Sequence, residues 1–139
     1  MQNAILRELP RPAASPTGAP AQHKLPYLTT PRLELSVGRG FLLLDPLKII
    51  RCQADANYTE FYLEDGSKYL ASRTLKSFEE RLPNDLFFRA HQSHLINVLH
   101  ITGYTLRAPA QISLSDGTTV PLSRKRKAGL RELLARLCG

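Results

Sequence analysis

Six of the ten prolines in this chain, Pro10, Pro12, Pro16, Pro20, Pro26 and Pro31, fall within its first 32 residues. Proline fixes φ and removes a backbone donor, so a stretch this dense in it can neither hold a helix nor join the middle of a sheet. Residues 1–32, rich also in Ala, Ser and Thr, are expected to form an extended linker or disordered arm, with one short helical turn over Ala4 to Leu9. The folded domain is expected over residues 33–139.

From Leu33 onward the chain reads as short strands separated by turn signals. Leu33-Glu34-Leu35-Ser36 alternates, Gly38-Arg39-Gly40 turns, and Phe41 to Leu44 follows as a buried strand that Asp45-Pro46 breaks. The spacing then predicts strands over Lys48 to Ala54 and Tyr58 to Leu63, with Asp55-Ala56-Asn57 as the turn between them. Asp65-Gly66 signals a hairpin into Lys68 to Ala71. Over Thr74 to Leu82 the period changes: Leu75, Phe78 and Leu82 make one apolar stripe of a short helix that Pro83-Asn84 ends. Phe87 to Ala90 is a strand, and Ile96 to Tyr104 an irregular apolar stretch.

The last hairpin can be assigned a register. With Ser115-Asp116-Gly117 as a three-residue loop and Gly117 left-handed, Leu114 faces Thr118 and Ile112 faces Val120, with Leu122 on the same apolar side. A two-residue Asp-Gly loop would instead set Val120 against Ser113 on the polar face, so the first register is preferred. Leu130, Leu133, Leu134 and Leu137 then stripe a C-terminal helix for which Ser123 is a plausible N-cap. Many short strands with two helices indicate a mostly-β domain.

A hydrophobic content of 42% supports a real core. The longest apolar run, Phe41 to Leu44, is far short of a membrane span, and the first residues carry no secretory pattern. Two cysteines, Cys52 and Cys138, with no CxxC pair argue against a disulfide scaffold or a cysteine-rich zinc module and fit a reducing cytoplasm.

Nineteen Lys and Arg against twelve Asp and Glu leave a net charge of +7. The excess sits at the ends. Residues 33–122 hold nine basic and ten acidic residues, whereas residues 123–139 hold six and one. A basic balance favours polyanionic partners.

Three clusters could carry chemistry. In the first, Arg124, Lys125, Arg126 and Lys127 crowd the start of the last helix, where the helix dipole disfavours cations by ~0.3–1 kcal/mol each. A bound polyanion would supply the missing compensation, although a solvated basic helix start is the plainer alternative. In the second, Arg89, His91 and Ser93 are expected on one strand face, with Gln92 in the bend after it. These donors and acceptors suit phosphate oxygens and base edges, or simply a polar strand end. The third is the turn that holds Asn57 and Tyr58, nearly uninformative alone.

Enzyme readings lack a constellation. His91, His94 and His100 are the only metal candidates, the first two expected on opposite faces of a strand, and no metal or cofactor is expected. Ser93 has no nucleophile-elbow glycines around it. Glu64-Asp65 and Glu79-Glu80 read as solvated hairpin and helix surfaces.

Together, Ile49 to Tyr58, Leu75 to Leu82 leading into Phe87 to Asn97, Ile101, and Ile112 to Ser123 with the following Arg124 resemble the LytTR family of bacterial DNA-binding domains. The most specific piece is Phe87, Arg89, His91, Ser93, Leu95 and Asn97 at alternating positions. The resemblance implies an elongated, mostly-β stack of antiparallel sheets with one short internal helix and a C-terminal helix. It also implies sequence-specific binding of double-stranded DNA as a transcriptional regulator, with loops rather than a recognition helix entering successive major grooves. The family's contact positions match Asn57 and Tyr58, then His91, Gln92 and Ser93, then Arg124 with Lys125 beside it; Arg89, Arg126 and Lys127 complete the expected DNA-binding set. Two copies on paired repeats are expected. Family members usually carry a receiver or membrane-sensor segment in front; only the Pro-rich arm stands there in these 139 residues, so a separate sensor or regulatory partner is expected. The alternative is a protein-interaction module of the same fold that has lost DNA binding.

Overall fold

A computed structural model describes residues 31–138, so nearly all of the expected arm, including the turn over residues 4–9, lies outside the described residues. Three antiparallel sheets are stacked. The first is a hairpin of β1 (Leu33–Val37) and β2 (Gly40–Leu44). Leu33 pairs with Leu44 and Leu35 with Leu42, all four buried, as a period-2 apolar pattern demands.

The middle sheet has five strands in the order β5-β4-β3-β7-β6, formed by β3 (Ile49–Asp55), β4 (Tyr58–Leu63), β5 (Lys68–Ala71), β6 (Phe87–His91) and β7 (His94–Asn97). Between β5 and β6 lies the helix α1 (Leu75–Arg81), whose N-cap Thr74 accepts from the Ser77 N–H through its side chain at 3.3 Å. The third sheet comprises β8 (Ile101–Thr105), β9 (Gln111–Leu114) and β10 (Thr119–Pro121), and the chain continues into α2 (Lys127–Leu137). The mostly-β stack with a short internal and a C-terminal helix agrees with expectation.

The middle sheet divides two apolar cores. On one face Phe61 and Leu95 pack with Phe78 of α1 and with Leu35 and Leu42 of the hairpin; Phe61 and Phe78 meet edge to face at 4.8 Å. On the other, Ile50, Ala90 and Ile96 pack with Ile112, Leu114, Val120, Leu122 and Leu130. Each fully buried Leu, Ile or Phe stabilises by about 1.5–3 kcal/mol, so both faces hold the sheet. In α2, Gly129 faces the Phe88 ring of β6, where a Cβ would make ordinary van der Waals contact at 3.4 Å.

The β9–β10 register is the predicted one. Ile112 pairs with Val120, the Leu114 N–H donates to Thr118 C=O at 2.9 Å, and Gly117 has φ 87°. The same loop form recurs after β4, where the Leu63 N–H donates to Ser67 C=O and Gly66 has φ 92°.

Three local expectations are corrected. The stretch Ile96 to Tyr104 contains the end of β7, a 3-10 turn at Val98–His100 and β8. The last helix begins at Lys127, behind a 3-10 turn at Arg124–Arg126, and the Ser123 side chain caps neither. The Ser123 backbone acts in its place, accepting from the Arg126 N–H at 3.0 Å. Finally, β3 and β6 each carry a bulge, at Ile50 and Ala90. One extra residue on a strand inverts the facing of everything beyond it, which strict alternation misses.

Candidate nucleic-acid interface

Backbone hydrogen bonds draw the three clusters together. The β3–β4 turn holds Ala56 and Asn57 between the paired Asp55 and Tyr58. Beside it lies the β6–β7 turn, with Gln92 and Ser93 between the paired His91 and His94. These turns are tied where the Ala54 N–H donates to Ser93 C=O at 2.9 Å and Gln53 pairs with His94. The third cluster joins through the Ser123 N–H, which donates to Ala90 C=O at 2.8 Å. Arg124 therefore starts one residue beyond a direct bond to the strand that carries His91.

Exposure separates the expected site residues. Asn57, Tyr58, Gln92, Arg124, Lys125 and Arg126 are exposed, whereas His91, Ser93 and Lys127 are half-buried. Among the described residues, none of Arg124, Lys125, Arg126 and Lys127 has an acidic partner within salt-bridge distance. The Ser93 N–H donates to Nδ1 of His91 at 3.1 Å, so in the neutral ring Nε2 carries the proton and is a donor. Ala56, next to Asn57, sits at φ 58°, a left-handed conformation that costs a non-glycine residue about 1–2 kcal/mol.

Arg89 is placed differently from expectation. Because of the bulge, Arg89 pairs with Leu95 and His91 with His94, so the two side chains leave opposite faces of the sheet. Its Nε donates to His91 C=O at 3.0 Å, its Nη2 to Gln92 C=O at 2.7 Å, and its Nη1 to the Glu79 carboxylate of α1. Glu79, expected to be a solvated helix residue, is an ion-pair partner instead. Spacing could not reveal this pair, because helix and strand meet only in the tertiary fold.

The sequence did not reveal the roles of three further residues behind the turns. Arg51 is buried, its guanidinium 3.8 Å from the Tyr62 ring centre, its Nη1 donating to Gln53 Oε1 at 2.7 Å and its Nε 3.8 Å from Asp116. His94 faces the same side as His91, ring centres 5.8 Å apart, rather than the opposite side. Burial first, then the charges of His91 and Arg51, push its pKa down to about 4, so it is neutral at pH 7. Asn97, fully buried, donates to Ile49 C=O at 2.9 Å and accepts from the Leu99 N–H at 2.9 Å. No group of three or more His, Cys, Asp or Glu is gathered for a metal ion among the described residues. An open groove of about 660 Å³ between β8 and α2, lined by residues such as Ile101, Tyr104 and Leu134, includes none of the three clusters. No helix among the described residues is long and apolar enough to cross a membrane.

Fold and site together define a class: a mostly-β domain of stacked antiparallel sheets that gathers three polar and basic clusters on neighbouring turns. The chain belongs to the LytTR family, whose LytTr DNA-binding domain model matches residues 39–135. It is 33% identical over 126 residues to the heme-containing CO-sensing transcriptional regulator RcoM 1 of Paraburkholderia xenovorans (strain LB400), covering 86% of this chain and 46% of that protein. It is 30% identical over 105 residues to the sensory transduction protein LytT of Bacillus subtilis (strain 168), covering 74% of this chain and 43% of that one. The chain thus spans under half the length of these curated relatives. A solved LytTr DNA-binding domain from Bacillus cereus superposes with a TM-score of 0.64 at 26% identity, over 75% of this chain and 96% of that domain.

Proposed function

We propose that the chain binds duplex DNA sequence-specifically as a bacterial transcriptional regulator, its turns entering successive major grooves on one side of the duplex. The observation that carries this reading is the pair of backbone bonds, Ala54 to Ser93 and Ser123 to Ala90, which gathers the three clusters at one end. Arg124 donates bidentately to guanine O6 and N7, worth about 1–3 kcal/mol of discrimination. Asn57 reads adenine, Tyr58 stacks or binds phosphate, and His91 donates from Nε2 beside the Gln92 amide and the Ser93 hydroxyl. Lys125, Arg126 and Lys127 neutralise phosphates, each steepening the log–log salt dependence by about 0.9.

Two copies act on paired repeats about one helical turn apart, in the cytoplasm, and regulation comes from a sensor segment or a separate partner. The relatives that are CO-sensing and sensory-transduction proteins support regulation by a sensor. Selection from randomised duplexes tests the reading. A paired-repeat motif should be enriched; a protein-interaction module of the same fold would enrich none.

A further inference from the structure

The β6–β7 turn has a problem that its own sequence does not solve. The His91 and Gln92 carbonyls lie at its tip, and a carbonyl is an acceptor only, so left outward it would repel a phosphate and compete for the donors beside it. Both carbonyls are taken inward by one side chain. Arg89 donates Nε to His91 C=O at 3.0 Å and Nη2 to Gln92 C=O at 2.7 Å, a planar fork gripping consecutive residues. Its third nitrogen in use, Nη1, meets the Glu79 carboxylate, and the Arg89 side chain is only 14% exposed. An uncompensated cation so enclosed would be costly, and Glu79 removes that cost.

We propose that Arg89 is a positioning residue for recognition, held in place by Glu79, and not itself a phosphate contact. The inference rests on the DNA-binding reading above. With the two carbonyls gripped from behind, the turn presents donors: His91 Nε2–H, whose tautomer the Ser93 N–H sets, and the Gln92 amide. Helix α1, which carries no proposed contact residue, thereby becomes part of the reading machinery through Glu79.

The test uses the full chain with a duplex obtained by selection and a scrambled duplex. Two quantities are measured, the affinity ratio between the duplexes and the slope of log affinity against log salt. For Arg89→Lys and Arg89→Gln the ratio should fall about tenfold, within the range lost with one base-specific contact, while the slope stays that of the wild type. Lysine keeps the charge but cannot form the fork, so it should not rescue the ratio. Glu79→Gln should lower the ratio without steepening the slope. The inference is overturned if Arg89→Gln weakens both duplexes equally and lowers the slope by about 0.9, the signature of a lost phosphate contact. It is also overturned if Glu79→Gln tightens both duplexes, as a released cation would. Should Arg89→Gln fail to fold, Arg89→Lys and Glu79→Gln decide. Wild-type protein that does not discriminate between the duplexes removes the underlying reading and the inference with it. Wild-type discrimination that Arg124→Ala weakens and Arg89→Lys leaves intact removes the inference alone.

Discussion

The backbone N–H of Ser123 donates to the carbonyl of Ala90 at 2.8 Å, joining the residue before Arg124 to the residue before His91. One backbone hydrogen bond thus ties together two proposed reading elements that lie more than 30 residues apart in the chain. Since Ala90 is fully buried, that anchor belongs to the core rather than to the surface it positions.

Arg124 and Lys127 should separate by kind of defect. Arg124→Ala is expected to relax site preference, costing about 1–3 kcal/mol on the selected sequence and little on others. Lys127→Ala should weaken every duplex about equally and lower the salt slope by roughly 0.9. Competition binding at two salt concentrations reads both. An Arg124→Ala protein with unchanged site preference would remove Arg124 from the reading surface.

Asn97 should matter for folding rather than for contact. Its amide bridges Ile49 C=O and the Leu99 N–H from a fully buried position. Removing it orphans buried backbone groups, so Asn97→Ala should cost about 2–4 kcal/mol. Denaturant unfolding measures this; a loss under 1 kcal/mol, taking about 1 as an ordinary hydrogen bond, would contradict the role.

The left-handed Ala56 should be relieved by glycine. Ala56→Gly is expected to raise stability by about 0.5–1 kcal/mol, because glycine accepts φ 58° without steric cost although its unfolded chain is freer. Thermal melts test the sign. A destabilised variant would show that the turn is not strained.

Acid should weaken the fold through His94. Its pKa is lowered in the folded protein to about 4 from an ordinary 6.5, so the unfolded chain binds more protons between those values. This contribution is complete above about pH 6.5 and declines as the pH falls toward 4. Its size is on the order of 1 kcal/mol, less than the full linkage value because solvent screens the half-buried ring. The thermal midpoint of the His94→Gln variant should fall less steeply over that window than that of the wild type, and an equal slope would refute the assignment.

The two thiols should differ in reactivity. Cys52 is fully buried and burial pushes its pKa far up, against a smaller lowering by Arg51, whereas Cys138 is exposed. A thiol reagent at neutral pH should label one cysteine in the folded protein and two in denaturant, and Cys138→Ser should abolish the native signal. Native labelling of Cys52 would mean that the middle sheet opens readily.

Much of the architecture was legible because its determinants are local. Gly117 alone selects the three-residue loop that sets Ile112 opposite Val120, and Thr74 with Leu75, Phe78 and Leu82 marks α1 from cap to end. Asn97 was visible as part of a pattern, but its part in bridging two backbone segments was not. The Ser123 hydroxyl is the reverse case, a suitable capping group for a helix that starts four residues later.

By itself, the sequence determined where strands turn, which hairpin faces are apolar and that positive charge gathers after residue 122, since period, glycine conformation and residue type act over a few positions. Only the tertiary structure decided that three distant turns share one end, that Arg89 and His91 leave opposite faces, and that Glu79 of α1 pairs with Arg89. The bulge at Ala90 is one unpaired residue without a compositional mark, and the bonds from Ala54 to Ser93 and from Ser123 to Ala90 join backbone groups that any residue but proline could supply.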